Sequence, residues 1–472
     1  MGDINFSILN AEKIIEIHEA SMHILEKIGM KVEGGKIQDL LKRSGINSDS
    51  NGRIKFSREI VEDALRAAPK YITLYTREGE PYMTVPDSGK KYFGTHADQL
   101  EILDPFIGAN RKFIRSDIKM MCLIADYLPT INFILTVGLS SDVPPEIQSQ
   151  ISFLETVKNF RKPINFSSNN IQALKDIIEV SSDLAGGITK LQEKPFIFHY
   201  CEPIPPLYHP ETSTEKIYLS AEKKIPLVYM PYCMMGATAA MSLSGALAQC
   251  NAEVLAGLVM SQLVNEGAPF IYGAMPSIFD MKTTIGSYGS PEFHLQIAAS
   301  SELAAFYGLP FYGTAGCSDA RVIDEQAVAE VSIEIFSALL SRADLVHDVG
   351  VMDHCNSISP EMLILADEII SYLNSYLKGI IIDDLPLALE DIADIGPAGN
   401  FLGTEYTMQN FRNIWYPKLA NRNMINKDTS DVRAKIRILL NHITKNHEAP
   451  IISNNKSLML AEYEKEIKSR YF

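Results

Sequence analysis

The sequence has no excess of basic charge: 43 Lys and Arg stand against 58 Asp and Glu, a formal net charge of −15. That balance argues against nucleic acid or an anionic membrane surface as partner. No apolar run reaches the roughly 18 residues a membrane span needs; the candidate near Cys122–Leu139 is broken by Asp126, Pro129 and Asn132. The opening stretch MGDINFSILNAEKIIEIHEA carries no basic n-region and no long apolar core, so no signal peptide is expected. Six cysteines (Cys122, Cys201, Cys233, Cys250, Cys317 and Cys355) form neither a C-x-x-C pair nor a disulfide-like framework. Reduced thiols in a cytoplasmic protein fit that usage. No G-x-G-x-x-G, P-loop or H-E-x-x-H motif occurs, which removes the usual dinucleotide, nucleotide and zinc-protease readings.

What the 472 residues do contain is a regular alternation of short apolar runs and amphipathic helices. The N-terminal part, 1–109, reads as a helical and β-hairpin subdomain. Asn10 caps a helix over 10–29 that Gly29 ends, and strands at Ile72–Thr76 and Tyr82–Val85 flank the turn REGEP. A further strand-like run sits at Lys91–Phe93. From 110 to 393 seven strands alternate with helices: Asn132–Val137, Pro163–Ser167, Pro195–His199, Pro226–Met230, Phe270–Tyr272, Phe311–Gly313 and Leu345–His347. Five of them follow an x-Pro entry, where the missing N–H costs little. An eighth strand has only a weak candidate, Ile380–Ile382. The pattern predicts an α/β fold, a TIM (β/α)8-type barrel, because a doubly wound sheet of this size needs a Gly-rich first turn. The small-residue helix Leu243–Val264 permits close packing and homo-oligomer contacts. Residues 394–472 read as a helical extension packed on the barrel.

Chemistry in such a barrel belongs on the loops after the strand C-termini. Aromatic side chains gather near predicted strand ends: Tyr92, Phe93, Tyr200, Tyr229, Tyr232, Tyr272, Tyr288 and Tyr312. Ring faces attract quaternary ammonium ions, so the set suits a cationic or apolar ligand. His347 ends the seventh predicted strand, placed to donate to a carboxylate or act as a base. A zinc set of His347, His354, Cys355 and Cys317 is an alternative. His96 and Asp98 form a polar pair after Gly94. Asp280, Lys282, Ser290 and Glu292, with Asp319, Arg321, Asp324 and Gln326, are expected to position loops rather than react.

Four segments carry a more specific signal: MMGATAAMSLSGALAQCNAEVLAG, YGAMPSIFDMKTTIGSYGSPE, YGLPFYGTAGCSDARVIDEQAVAE and NFLGTEYTMQNFRNIWYPKLANR, with YFGTHADQ more loosely. Together they resemble the trimethylamine methyltransferase superfamily of corrinoid-dependent methyltransferases. The resemblance implies a barrel whose mouth receives a separate corrinoid protein, with cob(I)alamin as the methyl acceptor. The chain lacks the D-x-H-x-x-G signature of a corrinoid module, so no cofactor is expected on the chain itself. Trimethylamine members carry pyrrolysine; the loops here, GTAGCSDAR included, hold only standard residues and resemble the non-pyrrolysine branch. That branch implies a betaine such as glycine betaine, proline betaine, carnitine or butyrobetaine as substrate. On this reading Phe93 and Tyr92 form the ammonium cage, with Tyr229 and Tyr312 beside them, and His347 holds the carboxylate. His96 and Asn356 are its polar neighbours. Gly316, Ser318 and Asp319 are the expected corrinoid contacts, and no metal is expected. A zinc-dependent enzyme acting on an alcohol or thiol and a non-catalytic quaternary-amine binder are the alternatives.

Overall fold

Eight short parallel strands close on one another in chain order in the computed structural model, which describes residues 6–87, 89–96, 98–380, 388–422, 431–448 and 451–471. They are β1 (Tyr92–Gly94), β2 (Ile131–Leu135), β3 (Ile164–Phe166), β4 (Ile197–Cys201), β5 (Leu227–Tyr229), β6 (Phe270–Gly273), β7 (Phe311–Thr314) and β8 (Leu345–His347). The expected barrel is therefore present, and seven of its strands fall on the expected runs. The eighth does not. It is β1, which pairs with β8 through Leu345↔Tyr92 and Val346↔Phe93 and with β2 on its other side. The barrel thus begins before residue 110, inside the stretch read as the N-terminal subdomain. Of the weak candidate at 380–382, Ile380 is exposed and residues 381–382 lie outside the described residues. A three-residue strand carries too little periodicity to declare itself; only ring closure identifies it.

Gly94 shows why that closure is tight. A Cβ built there would lie 2.3 Å from the Phe133 ring. Phe133 occupies the barrel interior with Phe198 and Tyr312, at ring-centroid distances of 5.6 and 6.0 Å.

The helix Leu243–Val264 is long and apolar enough to cross a membrane by length and composition, but 78% of its apolar window is buried within the protein. It is a core helix covered on both sides, which is why it is apolar all round. Gly257 on one side receives the Tyr229 ring. On the other, the Ala248 carbonyl accepts from Ser21 at 2.9 Å and Asn251 donates to Ser21 at 2.8 Å, both from the N-terminal helix Ala11–His23. Asn10 caps that helix as expected, accepting from the Lys13 N–H.

The C-terminal helices Val432–Asn446 and Asn454–Ser469 pack on the barrel's outer helices. Arg115 binds Glu464 at 2.7 Å, Arg470 binds Asp176 at 2.8 Å and Arg437 binds Glu361 at 2.9 Å. Trp415 donates its indole N–H to Ser371 at 3.0 Å.

At the C-terminal end of the barrel the loops build their own sheets. The loops after β1 and β8 share a four-stranded sheet, in which Ser357 and Ile358 pair with Glu101 and Ile102. The loops after β5 and β6 share a three-stranded one.

Candidate active site

β8 delivers His347 to the barrel mouth, and the chain then turns through Asp348 at a φ of 78°. That left-handed turn, which Asp tolerates better than bulkier residues, brings a fully buried carboxylate back beside the strand end. Asp348 accepts from His96 Nδ1, and its Oδ1 lies 3.2 Å from His347 Nε2. His96 comes from the loop after β1, two residues beyond Gly94. Its other nitrogen is 3.3 Å from Cys355 Sγ, which also receives Gln99 Nε2 at 3.6 Å. The first and last barrel loops therefore meet in one polar cluster.

The protonation pattern follows from these partners. His347 Nδ1 donates to the Gly313 carbonyl at 2.9 Å, which leaves Nε2 with its lone pair. Burial lowers the His347 pKa to about 4, so the ring is neutral at pH 7. Burial also opposes charge on His96, but Cys355 and Asp348 outweigh it and hold its pKa well above the ordinary imidazole value. For Asp348 burial is outweighed by His347 and His96, and its pKa is lowered. The cluster is thus an imidazolium–carboxylate pair beside a neutral histidine. His347 Nε2 and Asp348 Oδ2 have no hydrogen-bond partner.

Aromatic rings wall this cluster. Tyr312 lies 4.6 Å from the His347 ring, centroid to centroid, and Tyr200 lies 5.9 Å from it. The Tyr312 hydroxyl donates to Asn165 at 2.8 Å, at the level of β3. Tyr232 and Tyr288 stack at 6.1 Å on the side of Cys355. Asp98 and Glu202, in the loops after β1 and β4, are exposed. Ser167 donates to both oxygens of Asp98 at 2.9 and 2.7 Å, and Tyr200 donates to Glu202.

Of the residues singled out from the sequence, His96, His347 and Tyr312 come together here. Tyr92 does not: it begins β1 at the opposite end of the barrel, where its hydroxyl donates to Asp87 at 3.0 Å. Gly94 and His347 point inward, so alternation along the paired strands turns Phe93, like Val346, to the helix layer. Tyr229 also faces outward, against Gly257, with its hydroxyl 2.6 Å from His209 Nδ1. Phe93 and Tyr92 therefore do not stand beside His347; the rings that do are Tyr200 and Tyr312. Asn356 is exposed at a turn, donating to the Asp353 carbonyl at 2.8 Å.

Gly316 packs against Val349, the Ser318 hydroxyl donates to Glu330 at 2.5 Å, and Asp319 accepts from the Ser287 hydroxyl and the Tyr288 N–H. The zinc set does not converge. Cys317 is held by Glu334 at 3.1 Å, His354 by Asp319 at 3.0 Å and Cys355 by His96. Among the described residues, His96, His347 and Asp348 instead bring ligand atoms within 4.8 Å of one another. Asp324 and Ser290 cap helices, Asp280 closes its own turn and Arg321 reaches Asp353 at 3.3 Å, all positioning roles. Asp348 and Glu202 carried no sequence signal beyond lying just past a strand end.

Comparison with known proteins places the chain. The family model for trimethylamine methyltransferase (MTTB) matches residues 2–468. Over 428 residues the chain is 30% identical to glycine betaine methyltransferase of Desulfitobacterium hafniense strain Y51, covering 89% of this chain and 88% of that one. It is 28% identical over 415 residues to trimethylamine methyltransferase MttB of D. hafniense strain DSM 10664 / DCB-2, covering 88% and 83%. Among solved structures, the Methanosarcina barkeri monomethylamine methyltransferase (MtmB) aligns with 91% of this chain and 92% of its own, at a TM-score of 0.46 and 14% identity. The protein belongs to the trimethylamine methyltransferase family and is a methyltransferase.

Proposed function

We propose that the protein demethylates a betaine, passing an N-methyl group to the Co(I) of a corrinoid carried by a separate protein. The observation that carries this reading is the group of side chains at the barrel mouth: the Tyr312 and Tyr200 rings stand 4.6 and 5.9 Å from the His347 ring, beside the His96–Asp348 pair. The 30% identity to a glycine betaine methyltransferase agrees with it. A quaternary nitrogen is already cationic and leaves as a neutral amine, keeping the electron pair of the broken C–N bond. The corrinoid supplies the nucleophile that takes the methyl group. What remains for this chain is to bind, orient and desolvate the substrate.

His96 is the better carboxylate partner than His347. It is held cationic and partly exposed, and the proton on its Nε2, which faces the Cys355 thiol at 3.3 Å, is the one a substrate carboxylate would take up, whereas the His347 Nδ1 proton is given to the Gly313 carbonyl. Tyr200 and Tyr312 offer ring faces to the methylated nitrogen. Loops after five of the strands present exposed large apolar residues around the mouth, among them Phe106, Ile107, Ile204, Met241, Met281 and Val322. That rim suits docking of a corrinoid protein. The contacts suggested at Gly316, Ser318 and Asp319 would be indirect, since these residues brace the rim loops. Six free cysteines fit a cytoplasmic location.

The test is methyl transfer to reduced cob(I)alamin, followed by the methylcobalamin spectrum, with trimethylamine and each betaine in turn. Turnover with a betaine and not with trimethylamine is expected. No turnover with any of them, in the presence of a partner corrinoid protein, would refute the reading. A zinc-dependent transfer from an alcohol or thiol is a second reading, favoured by the convergence of His96, His347 and Asp348. It requires stoichiometric zinc that is lost on His347→Ala.

A further inference from the structure

We propose that Asp319 is a positioning residue for methyl transfer: through His354 it holds Cys355 against His96, and so fixes the imidazole that meets the substrate carboxylate. The inference rests on the betaine reading above and adds how that imidazole is kept in place.

Asp319 lies in the loop after β7, and its carboxylate reaches the loops on both sides. Oδ2 accepts from the Ser287 hydroxyl at 2.5 Å and Oδ1 from the Tyr288 N–H at 2.8 Å, both in the loop after β6. Oδ1 also stands 3.0 Å from His354 Nδ1, in the loop after β8. The residue is itself anchored: its N–H donates to Glu330 at 3.0 Å, on the helix Glu325–Leu340 behind the loop. One carboxylate therefore joins the loops that follow β6, β7 and β8.

The loop after β8 needs that hold. It runs beside the loop after β7, with N–H bonds from Gly350 to Gly316 at 3.0 Å, from Ser318 to Val351 at 3.0 Å and from Asp353 to Ala320 at 2.9 Å. Beyond Asp353 the chain makes a left-handed turn. Asp353, His354 and Cys355 take φ values of 54°, 53° and 72°, and the Asn356 N–H closes the turn on the Asp353 carbonyl at 3.0 Å. Successive non-glycine residues in that region are disfavoured, so such a turn persists only where its surroundings over-determine it. Asp319 holds the middle residue of the turn, and the next residue is Cys355, whose Sγ lies 3.3 Å from His96 Nε2. With Asp348 on Nδ1, the His96 ring is fixed at both nitrogens. A ring fixed beforehand spares the substrate the cost of ordering it, about three- to tenfold in affinity for one side chain.

Asp319→Asn keeps an oxygen for Ser287 and Tyr288 but drops the charge that holds His354, and His354→Gln cuts the same contact from the other side. The two variants, their double and the wild type are compared in methyl transfer from each betaine to cob(I)alamin, and His96 is titrated by NMR in each. The carboxylate is held alike in the ground and transition states, so KM should rise about three- to tenfold in each single variant, with kcat kept within about twofold. The double variant should be no worse than either single one, because both remove one contact. The His96 titration should move to lower pH in all three, because Cys355 raises the His96 pKa. Unchanged KM and His96 titration in folded Asp319→Asn, or KM losses that multiply in the double variant, overturn the assignment and leave the betaine reading standing. Lower stability or lower kcat with an unmoved His96 titration overturns it as well, since a merely structural residue gives that result. No transfer from any betaine by the wild type overturns the betaine reading, and the His96 titration then decides by itself whether Asp319 places Cys355.

Discussion

Replacing Gly94 with Ala drives one methyl group into the Phe133 ring, and the structure sets the size of the effect. The added carbon would stand 2.3 Å from Phe133 Cε2 and 2.4 Å from Cδ2, more than about 1 Å inside ordinary carbon contact. The ring has nowhere to go. It is fully buried, with Phe198 at 5.6 Å and Tyr312 at 6.0 Å, and the His347 ring lies 4.6 Å beyond Tyr312. Overpacking of this kind costs about 1–3 kcal/mol, while the loss of glycine's freedom in the unfolded chain returns about 0.4–1 kcal/mol. The net expectation is a destabilisation of about 1–2 kcal/mol. Phe133→Leu by itself opens space and costs about 1 kcal/mol. In the double variant the new methyl group fills part of the vacated volume, so the two losses should fall short of their sum by about 1 kcal/mol. Urea unfolding of the four proteins measures the cycle, read as midpoint shifts at constant m. Gly94→Ala within about 0.5 kcal/mol of the wild type, or strict additivity in the double variant, would show that β1 is not held against Phe133 as described.

Four other outcomes follow from the same geometry. Asp348→Asn removes the carboxylate that, after Cys355, raises the His96 pKa, so the His96 imidazole should titrate at lower pH when followed by NMR; an unchanged titration refutes the ion pair. The raised His96 pKa stabilises the fold below the unfolded imidazole value and is lost as pH rises through the folded one. Alkaline destabilisation should therefore be smaller in Asp348→Asn. Glu464 is held down to about 2, chiefly by the Arg115 hydrogen bond. Its contribution is present above the ordinary carboxylate pKa and disappears as pH falls from about 4.5 toward 2, so Glu464→Gln should flatten the acid limb of stability in that window. Tyr229→Phe should lower stability by about 1 kcal/mol through the lost His209 hydrogen bond, leaving methyl transfer intact, whereas Tyr200→Ala should impair transfer; the reverse ranking refutes the inward and outward assignments.

The sequence by itself determined the local grammar of this protein. Pro entries, Gly stops and caps such as Asn10, Ser290 and Asp324 act within a few residues, so seven strands and most helices stand where their patterns put them. The order of elements then left a parallel barrel as the economical solution, and His347 at the end of a strand was already a residue to watch. What only the tertiary structure decided lies across the ring. Tyr92–Gly94 is a barrel strand because β8 and β2 flank it, which no three-residue pattern announces. Tyr229 and Phe93 turn outward and Tyr200 and Tyr312 inward because of register, since aromatic rings suit either face of a barrel wall. The His96–Asp348 pair joins residues 252 positions apart, and it forms only because the loops after β1 and β8 meet. Local propensity is written in neighbours along the chain; a binding site is made by neighbours in space, and here barrel closure supplies them.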